Sequence, residues 1–333
     1  MSDKKYHIYG VGNALVDVEI ETTDEQLAKL SVEKGLMTLV DAERQSFLLD
    51  SLTGKQHKLS GGGSAANTIM ALAQLGARCY YSCRIADDDS GNFFASDMRA
   101  AGVETNVHID KGSHGVTGTC LVMVTPDAER TMNTNLGISA ELSADQLIEA
   151  ELAASEYLYI EGYLVSTPNS LDTAMKAREL AAQHDVKVAM TFSDPAMVQF
   201  CGDGLKTVLG DGVDVLLCNE TEAMGFTGRE TLDDAADMLK ERARILAITC
   251  GPEGSRIWDG DRWISVAAHT VKAVDTNGAG DLFAGAFLYG LTHGHDCETS
   301  ARLASLGAAT LVTHFGARLP PDGLSGVKQT ILG

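Results

Sequence analysis

Residues 275–287 read DTNGAGDLFAGAF, and this stretch decides the interpretation of the chain. Its apolar residues recur at helical spacing from 282 onward, which predicts a helix that begins near Gly278. The first turn, Gly278-Ala279-Gly280, carries almost no side chain, so free backbone N–H groups and the positive end of the helix dipole form a site for an anion. Asp281 follows directly. A carboxylate beside a phosphate site is suited to take a proton from a hydroxyl group that attacks the phosphate.

Asp281 has a simpler interpretation as well. Acidic residues in the first turn of a helix commonly do no more than complement the helix dipole. The glycines around Asp281 and the second carboxylate at Asp275 favour the role of a base over that simpler one.

A second glycine-rich segment, SGGGSAANT, occupies residues 60–68. Its glycines lead into a predicted helix over 64–75 and allow a bulky ligand to lie against bare backbone. Asn67, one turn into that helix, is placed to bond a polyhydroxylated ligand. A plain flexible turn with Ser64 as the helix N-cap explains the same pattern, so both interpretations stay open.

Strand-like and helix-like runs alternate along most of the chain. This alternation predicts an α/β fold with a mostly parallel central sheet and helices on both faces. Ligands of such sheets bind at the carboxyl ends of the strands, where the glycine-rich turns lie. The predicted strands are 6–12, 77–85, 157–160, 186–192, 213–218 and 245–249, and the predicted helices are 64–75, 93–101, 169–183, 232–242, 279–291 and 299–312.

Two stretches interrupt the alternation. Residues 15–21 and 36–40 resemble extra strands, and 118–124 with 130–135 resemble a hairpin that turns at Thr125-Pro126-Asp127. Together they predict a small second sheet, a lid, formed by pieces near 14–42 and 104–135. The chain has no Ser/Pro-rich linker, low-complexity tract or internal repeat, which favours one domain over residues 1–333.

Composition excludes several classes of protein. The 333 residues are 44% hydrophobic and 22% charged, as in a globular protein, and the formal net charge is −20. This charge repels phosphate backbones and anionic membranes, so a nucleic acid partner is not expected. No apolar run reaches the roughly 20 residues that span a bilayer. The seven cysteines are scattered without a CxxC pair, and no secretory signal opens the chain, so we expect reduced thiols and a cytoplasmic protein.

Two common nucleotide-binding motifs are missing. The sequence contains no Walker GxxxxGK[ST] motif, and Gly278-Ala279-Gly280 is followed by Asp-Leu-Phe rather than by the rest of GxGxxG. A dinucleotide-dependent oxidoreductase is therefore disfavoured.

The two glycine-rich segments together carry a resemblance to a known family. Gly61-Gly62-Gly63 running into Asn67, followed much later by residues 275–281, resembles the two signatures of the ribokinase family, the pfkB-type carbohydrate kinases. The resemblance covers essentially the whole chain in order. It implies the ribokinase-like three-layer α/β sandwich with a small β-sheet lid over the substrate.

Within that family the likeness is greatest to the adenosine kinases. Residues 12–17 (GNALVD) are similar to their opening motif, although Ala14 replaces a common proline. Residues 219–223 (NETEA) and Asn277 in the second signature are also similar to theirs. The resemblance implies an ATP-dependent kinase that uses Mg²⁺ and phosphorylates the 5′-hydroxyl of a purine nucleoside.

The resemblance also implies roles for individual residues. Asp281 is the base, with the anion site at Gly278, Ala279 and Gly280. The acceptor's hydroxyl groups are expected at Asn13, Asp17, Gly62, Gly63 and Asn67, and its base near Tyr163. ATP is expected at Asn219, Glu222, Thr249, Gly251 and Gly254, with residues 308–316 closing the adenine pocket. Glu222 organises Mg²⁺ through water, and Asp275 lies near a monovalent cation such as K⁺.

Several alternatives stay open from the sequence. Arg130, on the predicted hairpin, is either an arginine finger over the phosphates or a solvated surface charge. Glu222 is either a functional residue or an ordinary exposed helix residue, and Tyr163 either stacks on a base or belongs to the core. The same chemistry on a free sugar and a catalytically inactive nucleotide-binding regulator are the alternative functions. An exposed lid edge is also expected to allow a homodimer.

Overall fold

A nine-stranded sheet lies at the centre of the computed structural model, which describes residues 4–52, 58–107 and 114–333. The strands, in chain order, are β1 (Tyr6–Val11), β2 (Leu15–Glu21), β3 (Met37–Leu39), β4 (Lys58–Gly62), β5 (Cys79–Ser82), β6 (Glu104–Thr105), β7 (Thr117–Val124), β8 (Arg130–Gly137), β9 (Ser155–Ile160), β10 (Lys187–Thr191), β11 (Val213–Asn219), β12 (Ala243–Thr249), β13 (Ser255–Trp258) and β14 (Trp263–Val266).

Helices connect most of these strands. The α-helices are α1 (Asp24–Lys29), α2 (Ala42–Ser51), α3 (Ser64–Leu75), α4 (Asp89–Ala100), α5 (Glu149–Ala153), α6 (Pro168–Gln183), α7 (Pro195–Leu209), α8 (Glu220–Thr227), α9 (Leu232–Leu239), α10 (Ala279–Thr292), α11 (Cys297–Leu311) and α12 (Ser325–Leu332). Short 3-10 helices lie at Ile138–Glu141, Ala144–Gln146, Gly162–Ser166, Lys240–Arg242 and Gly251–Glu253. No helix in the described part of the chain is long and apolar enough to cross a membrane.

The large sheet has the order β14-β13-β12-β11-β10-β9-β1-β5-β6. All neighbouring pairs from β12 to β6 are parallel, whereas β13 and β14 form an antiparallel hairpin at one edge. The predicted α/β class with a mostly parallel sheet is therefore confirmed. The hairpin and the short helices α1, α2 and α8 are additions that the sequence did not indicate.

Strand alternation builds two apolar cores, one on each face of this sheet. Tyr157 and Tyr159 of β9 point into one core, and Leu158 and Ile160 point into the other. Helices α3, α4, α10, α11 and α12 cover the first face, and α6, α7, α8 and α9 cover the second. Strands buried on both faces form continuous apolar runs, which is why the sequence pattern identified them.

The smaller sheet has the order β3-β8-β7-β2-β4. Helices α1 and α2 cover its outer face, where Leu27 and Leu48 pack against Ile20 and Leu121. This sheet comes from three stretches of chain rather than the two predicted pieces, because Lys58–Gly62 adds the edge strand β4 beside β2. The predicted piece 104–135 also begins too early: β6 pairs with β5 in the large sheet, and the smaller sheet resumes at Thr117. Residues 108–113 of that piece lie outside the described residues.

Candidate active site

Two cavities meet at the N-terminus of α10, and Gly280 lines both of them. The first cavity lies between the smaller sheet and the carboxyl ends of β1 and β9, and Asp281 faces it. The second cavity lies between the loop after β12 and helix α11, and Ala279 faces it. The helix start predicted from sequence therefore forms the wall that two separate ligands would share.

The first turn of α10 is open to these cavities. Gly278, the N-cap, has a φ of +72°, and a Cβ there would lie 2.5 Å from the carbonyl oxygen of Ala317. At Gly280 a Cβ would meet nothing within 4 Å. The backbone N–H groups of Gly280 and Asp281 donate to no acceptor within the described ranges. These free donors and the positive end of the helix dipole lie where the sequence predicts an anion site.

Two residues of α3 hold the carboxylate of Asp281. Its Oδ1 accepts a hydrogen bond from the Ser64 hydroxyl at 2.6 Å, and its Oδ2 accepts one from Nδ2 of Asn67 at 2.9 Å. Helices α3 and α10 approach closely because position 285 is glycine: a Cβ there would lie 2.6 Å from the carbonyl oxygen of Thr68. The two glycine-rich segments of the sequence thus meet at one carboxylate.

Opposing effects act on the pKa of the Asp281 carboxyl group. Burial raises the pKa of its carboxyl group, whereas the hydrogen bonds from Ser64 and Asn67 and the positive charges of Arg130 and Arg318 lower it. Arg130 lies on β8, lines the first cavity, and donates from Nη1 to the carbonyl oxygen of Thr276 at 3.2 Å. Its guanidinium therefore faces the site and is not a solvated surface charge.

Asn13 and Asp17 also face the first cavity. Asn13 donates from its backbone nitrogen and from Nδ2 to Glu161, at 2.7 and 2.9 Å, which leaves its buried Oδ1 without a partner. Asp17 is 4% exposed, and burial raises the pKa of its carboxyl group to about 7. Asn277, from the start of α10, adds a buried Nδ2 that also lacks a partner. Unpaired buried polar groups are costly, so a ligand that bonds them gains that free energy.

The inner face of the smaller sheet changes character from one side to the other. Asp17 of β2 pairs in register with Cys120 of β7, which pairs with Thr134 of β8, which pairs with Leu39 of β3. All four residues line the first cavity, together with the apolar side chains of Leu15, Met37, Met132 and Leu136. The cavity therefore has a polar side at Asp17 of β2 and a mostly apolar side at β8 and β3, where the lining side chains other than Arg130 and Thr134 are apolar.

Tyr163 lies on the wall of the same cavity. It belongs to the 3-10 helix that follows β9, and its hydroxyl donates to Oδ2 of Asp194 at 3.2 Å. Asp194 is itself fixed as the N-cap of α7. The ring is held at the cavity edge, although part of its surface also packs against the second core.

The predicted ATP residues divide into two groups. Thr249, Gly251 and Gly254 line the second cavity, opposite Ala308 and Val312 of the predicted closing segment. The described residues that line it include no Asp, Glu, Lys or Arg. An anionic ligand there would depend on the start of α10 rather than on a basic side chain.

Asn219 and Glu222 line neither cavity. They form a capping box at the start of α8, in which Glu222 accepts from the backbone nitrogen of Asn219 at 2.9 Å and from its Nδ2 at 2.8 Å. Glu222 is 3% exposed, so it is not an ordinary surface helix residue. Burial raises the pKa of its carboxyl group to about 7, and the negative charges of Asp194 and Asp281 add to this shift.

The region around Glu222, near the carboxylates of Asp194 and Asp281, has the kind of oxygen ligands that a divalent cation requires. Mg²⁺ is bound by oxygen ligands, keeps several waters, and uses one or two carboxylates together with substrate phosphates. Within the described ranges no three His, Cys, Asp or Glu side chains are arranged to hold a metal by themselves. Glu222 supplies a single buried carboxylate, and both of its oxygens already accept from Asn219.

Asp275 has a clear structural task. It is fully buried, and its two carboxylate oxygens accept from the backbone nitrogens of Asn277 at 2.9 Å and Gly316 at 2.8 Å. These bonds tie the loop before α10, which borders both cavities, to the loop after α11. A monovalent cation near Asp275 stays a prediction.

Three site residues were missed from the sequence. Ser64 was considered only as an N-cap, and it instead bonds Asp281. Glu161 directly follows a buried strand, a position where ligand-binding groups are common, and this signal could have identified it. Arg318 donates from Nε to Oδ1 of Asn67 at 2.7 Å, from a loop 251 residues away in sequence. No local sequence pattern predicts a contact between residues so far apart in the chain.

Comparison with known proteins now identifies the class of enzyme. A family model described as pfkB family carbohydrate kinase matches residues 33–322. The chain is an ATP-dependent kinase with the ribokinase-like fold. It belongs to the pfkB family of carbohydrate kinases, as its two sequence signatures predict.

Individual relatives include nucleoside kinases and sugar kinases. The chain is 29% identical to an adenosine kinase of Saccharomyces cerevisiae over 96% of its length and 98% of that protein. The crystal structure of adenosine kinase from Sinorhizobium meliloti has a TM-score of 0.92 at 33% identity, and covers 98% of this chain and 99% of that one. The crystal structure of a probable sugar kinase from Rhizobium etli has a TM-score of 0.93 at 31% identity, with the same coverage.

Proposed function

We propose that this kinase transfers the γ-phosphoryl group of ATP to the 5′-hydroxyl of a purine nucleoside. The observation that carries the proposal is the position of Gly280, which lines both cavities while Asp281 faces one of them. ATP would occupy the second cavity and the acceptor the first. The phosphoryl group would then pass from one to the other across the first turn of α10.

Each part of this turn has a task in the transfer. Asp281 takes the proton of the attacking hydroxyl. The backbone at Gly278, Ala279 and Gly280 stabilises the negative charge on the phosphoryl group as it moves. Arg130 faces Asp281 from the smaller sheet, where its guanidinium would neutralise further charge on the phosphates. The smaller sheet covers the acceptor and excludes water, which limits hydrolysis of ATP.

The polar and apolar sides of the first cavity support a nucleoside as the acceptor. Asn13, Asp17 and Asn67 would bond the ribose hydroxyl groups at the polar side. The apolar side at β8 and β3 would take the flat base, with the ring of Tyr163 beside it. Gly63 lines this cavity, whereas Gly62 does not. The predicted contact of Gly62 with the acceptor would therefore be indirect.

The remaining assignments concern ATP and its cations. Thr249, Gly251 and Gly254 would contact ATP directly, and Asn219 with Glu222 would organise the waters around Mg²⁺. When bound, Mg²⁺ neutralises phosphate charge during the transfer. The proposal also includes a K⁺ ion bound near Asp275. A homodimer through an edge of the smaller sheet and a cytoplasmic location are also retained as predictions.

A free sugar is the second candidate acceptor. The similarity to the probable sugar kinase from Rhizobium etli favours it, and the polar side of the cavity would serve a sugar equally well. A sugar phosphate is less suited, because Arg130 is the one cation among the described residues that line the cavity, and it is assigned to ATP.

A panel of acceptors with Mg-ATP separates these candidates. Stacking of a base on an aromatic ring contributes about 1–3 kcal/mol, so adenosine or another purine nucleoside should exceed ribose and fructose at least about tenfold in kcat/KM. 2′-Deoxyadenosine should be poorer, since it lacks half of the diol, and Asp17→Ala should impair nucleosides and sugars alike. A panel in which a sugar matches every nucleoside would refute the nucleoside assignment. No phosphorylation of any acceptor would instead favour a nucleotide-binding regulator.

The base is tested separately. Asp281→Asn keeps the shape of the side chain and removes its basicity, so kcat should fall about 10²- to 10⁴-fold while the affinity for ligands changes little. A variant that keeps more than half of the wild-type kcat would refute the assignment.

A further inference from the structure

Arg318 occupies an unexpected place, in contact with the residue that holds Asp281. Its side chain is 9% exposed and lies between Asn67 of α3 and Asp97 of α4. Nε donates to Oδ1 of Asn67 at 2.7 Å, and Nη1 forms an ion pair with Asp97. The guanidinium is therefore held at two points and cannot rotate without losing one of them.

The contact with Nε determines which way the Asn67 amide faces. An amide side chain has one acceptor end and one donor end, and a guanidinium can only donate. With its oxygen engaged by Arg318, Asn67 must present its NH₂ group to Asp281, where it donates at 2.9 Å. The reversed amide would place an oxygen against the carboxylate and a donor against the guanidinium, and both contacts would be repulsive.

The Arg318–Asp97 pair fits because position 61 is glycine. A Cβ at Gly61 would lie 2.5 Å from Nη1 of Arg318 and 2.5 Å from Oδ2 of Asp97. Gly61 is thus required by the Arg318–Asp97 pair and does not line the first cavity. One glycine of the family signature is explained in this chain by the half-buried Arg318–Asp97 ion pair rather than by contact with the acceptor.

We propose that Arg318 is a positioning residue, which, held by Asp97, fixes the amide of Asn67 so that the carboxylate of Asp281 keeps its orientation toward the acceptor hydroxyl. This proposal rests on the proposed role of Asp281 as the base. The positive charge of Arg318 adds a second effect, because it favours the ionised form of Asp281 that accepts the proton.

The test is a double-mutant cycle on kcat, using the best acceptor of the panel. Arg318→Met keeps most of the side-chain volume and removes the donor, so kcat should fall about tenfold from the misplaced carboxylate. In an Asn67→Ala background, at a pH above the acidic limb where the charge of Arg318 no longer affects kcat, the same substitution should change kcat less than about twofold, because the residue through which it acts is gone. Arg244→Met, at a side chain that is 79% exposed, is the matched control and should leave kcat unchanged.

The pH profile provides a readout that a purely structural role would not move. Loss of the positive charge should shift the acidic limb of kcat to higher pH in Arg318→Met. Arg318→Lys keeps the charge, so its limb should stay near that of the wild type. Its kcat should stay reduced, since an ammonium is a point charge that cannot replace the fork between Asn67 and Asp97.

Three outcomes would overturn the proposal. Equal losses of kcat in the wild-type and Asn67→Ala backgrounds would show that Arg318 acts by another route, and a folded Arg318→Met enzyme with wild-type kcat would show that it has no role. If Arg318→Met does not fold, Asp97→Leu replaces it, because leucine cannot accept from Nη1 of Arg318, and wild-type kcat in that variant would contradict the proposal. If Asp281 is not the base, the Asp281→Asn enzyme will remain active. This result distinguishes failure of the proposed function from failure of the proposal for Arg318.

Discussion

Helices α3 and α10 both begin with glycines, yet Gly62 and Gly63 before α3 serve a purpose opposite to that of Gly280 in the first turn of α10. At the start of α3, added side chains would collide with the protein: a Cβ at Gly62 would lie 1.9 Å from Oδ1 of Asp17, and one at Gly63 would lie 2.3 Å from the carbonyl oxygen of Asn13. At Gly280 of α10, an added Cβ would meet nothing within 4 Å. Gly62 and Gly63, like Gly278 at the N-cap of α10, make room for the protein's own groups, whereas Gly280 leaves room for a ligand.

This difference gives a physical criterion for separating structural from functional glycines. A glycine whose side-chain space is filled by protein atoms is explained by packing or by a positive φ, as at Gly63, where φ is +96°. A glycine with ordinary helical φ and empty space has no such explanation. In a site it points to a molecule that is bound there during function.

The largest effect that this comparison predicts is at Gly280. Gly280→Val places a branched side chain over free N–H groups of the first turn, so kcat should fall about 10²- to 10³-fold, as when one oxyanion donor is lost. Stability should change little, because a Cβ at this position meets no protein atom within 4 Å. Gly280→Ala should even stabilise the fold by about 0.4–1 kcal/mol while kcat still falls.

Steady-state kinetics and thermal unfolding of the same samples test this prediction. Gly326→Ala, in α12, is the control, because a Cβ there also meets nothing within 4 Å and the position is remote from both cavities. It should alter neither kcat nor KM. Normal turnover by Gly280→Val would place the phosphates elsewhere.

The next effect is at Gly62 and has the opposite pattern. Gly62→Ala forces the carboxylate of Asp17 from its place, so the fold should lose about 1–3 kcal/mol of stability, as in other overpacked sites. The KM for the acceptor should rise because Asp17 is displaced. The KM for ATP should change little, since Gly62 is not part of the second cavity. A Gly62→Ala variant with wild-type stability and a raised KM for ATP would contradict this interpretation, because Gly62 would then behave as expected for Gly280.

The sequence predicted those parts of the site that are local in the chain. The start of α10, the helix 64–75 and the parallel strands follow from periodicity, because each buries a face against its neighbours over many residues. Helix α7 was missed for a local reason: it contains Gly202 and Gly204, and its backbone is non-helical at Cys201, so the apolar period is interrupted. Strand β4 was missed because its glycines resemble a turn.

The unpredicted parts are those where distant segments meet. The bond of Arg318 to Asn67 and the bond of Asp281 to Ser64 each join residues more than 200 positions apart. No pattern within a window of residues records such a pairing, since it depends on how the helices pack across the sheet. The family signatures locate the proposed base and the proposed anion site, whereas the residues that hold Asp281 in place are visible only in three dimensions.

The smallest predicted effect concerns pH and the carboxyl group for which Gly62 makes room. Asp17 has a pKa of about 7 in the folded protein, raised chiefly by burial, against about 3.9 for an unfolded chain. Between these values the folded state holds a proton that the unfolded state has released, so stability falls as pH rises through this window. Glu161 and Glu222, whose pKa values are also about 7, act in the same direction.

Asp17→Asn isolates the share of Asp17 in this pH dependence. The amide has nearly the shape of the protonated acid and does not ionise, so the decline in Tm of the ligand-free protein between pH 5 and pH 8 should be shallower than in the wild type. At pH 8 the variant should melt about 2 °C or more above the wild type, while at pH 5 the two should nearly coincide. Asp203→Asn, at a side chain that is 99% exposed, should leave the wild-type slope intact. Parallel Tm profiles for wild type and Asp17→Asn would mean that Asp17 remains ionised in the folded protein, and that the room beside Gly62 holds a charge which burial does not penalise.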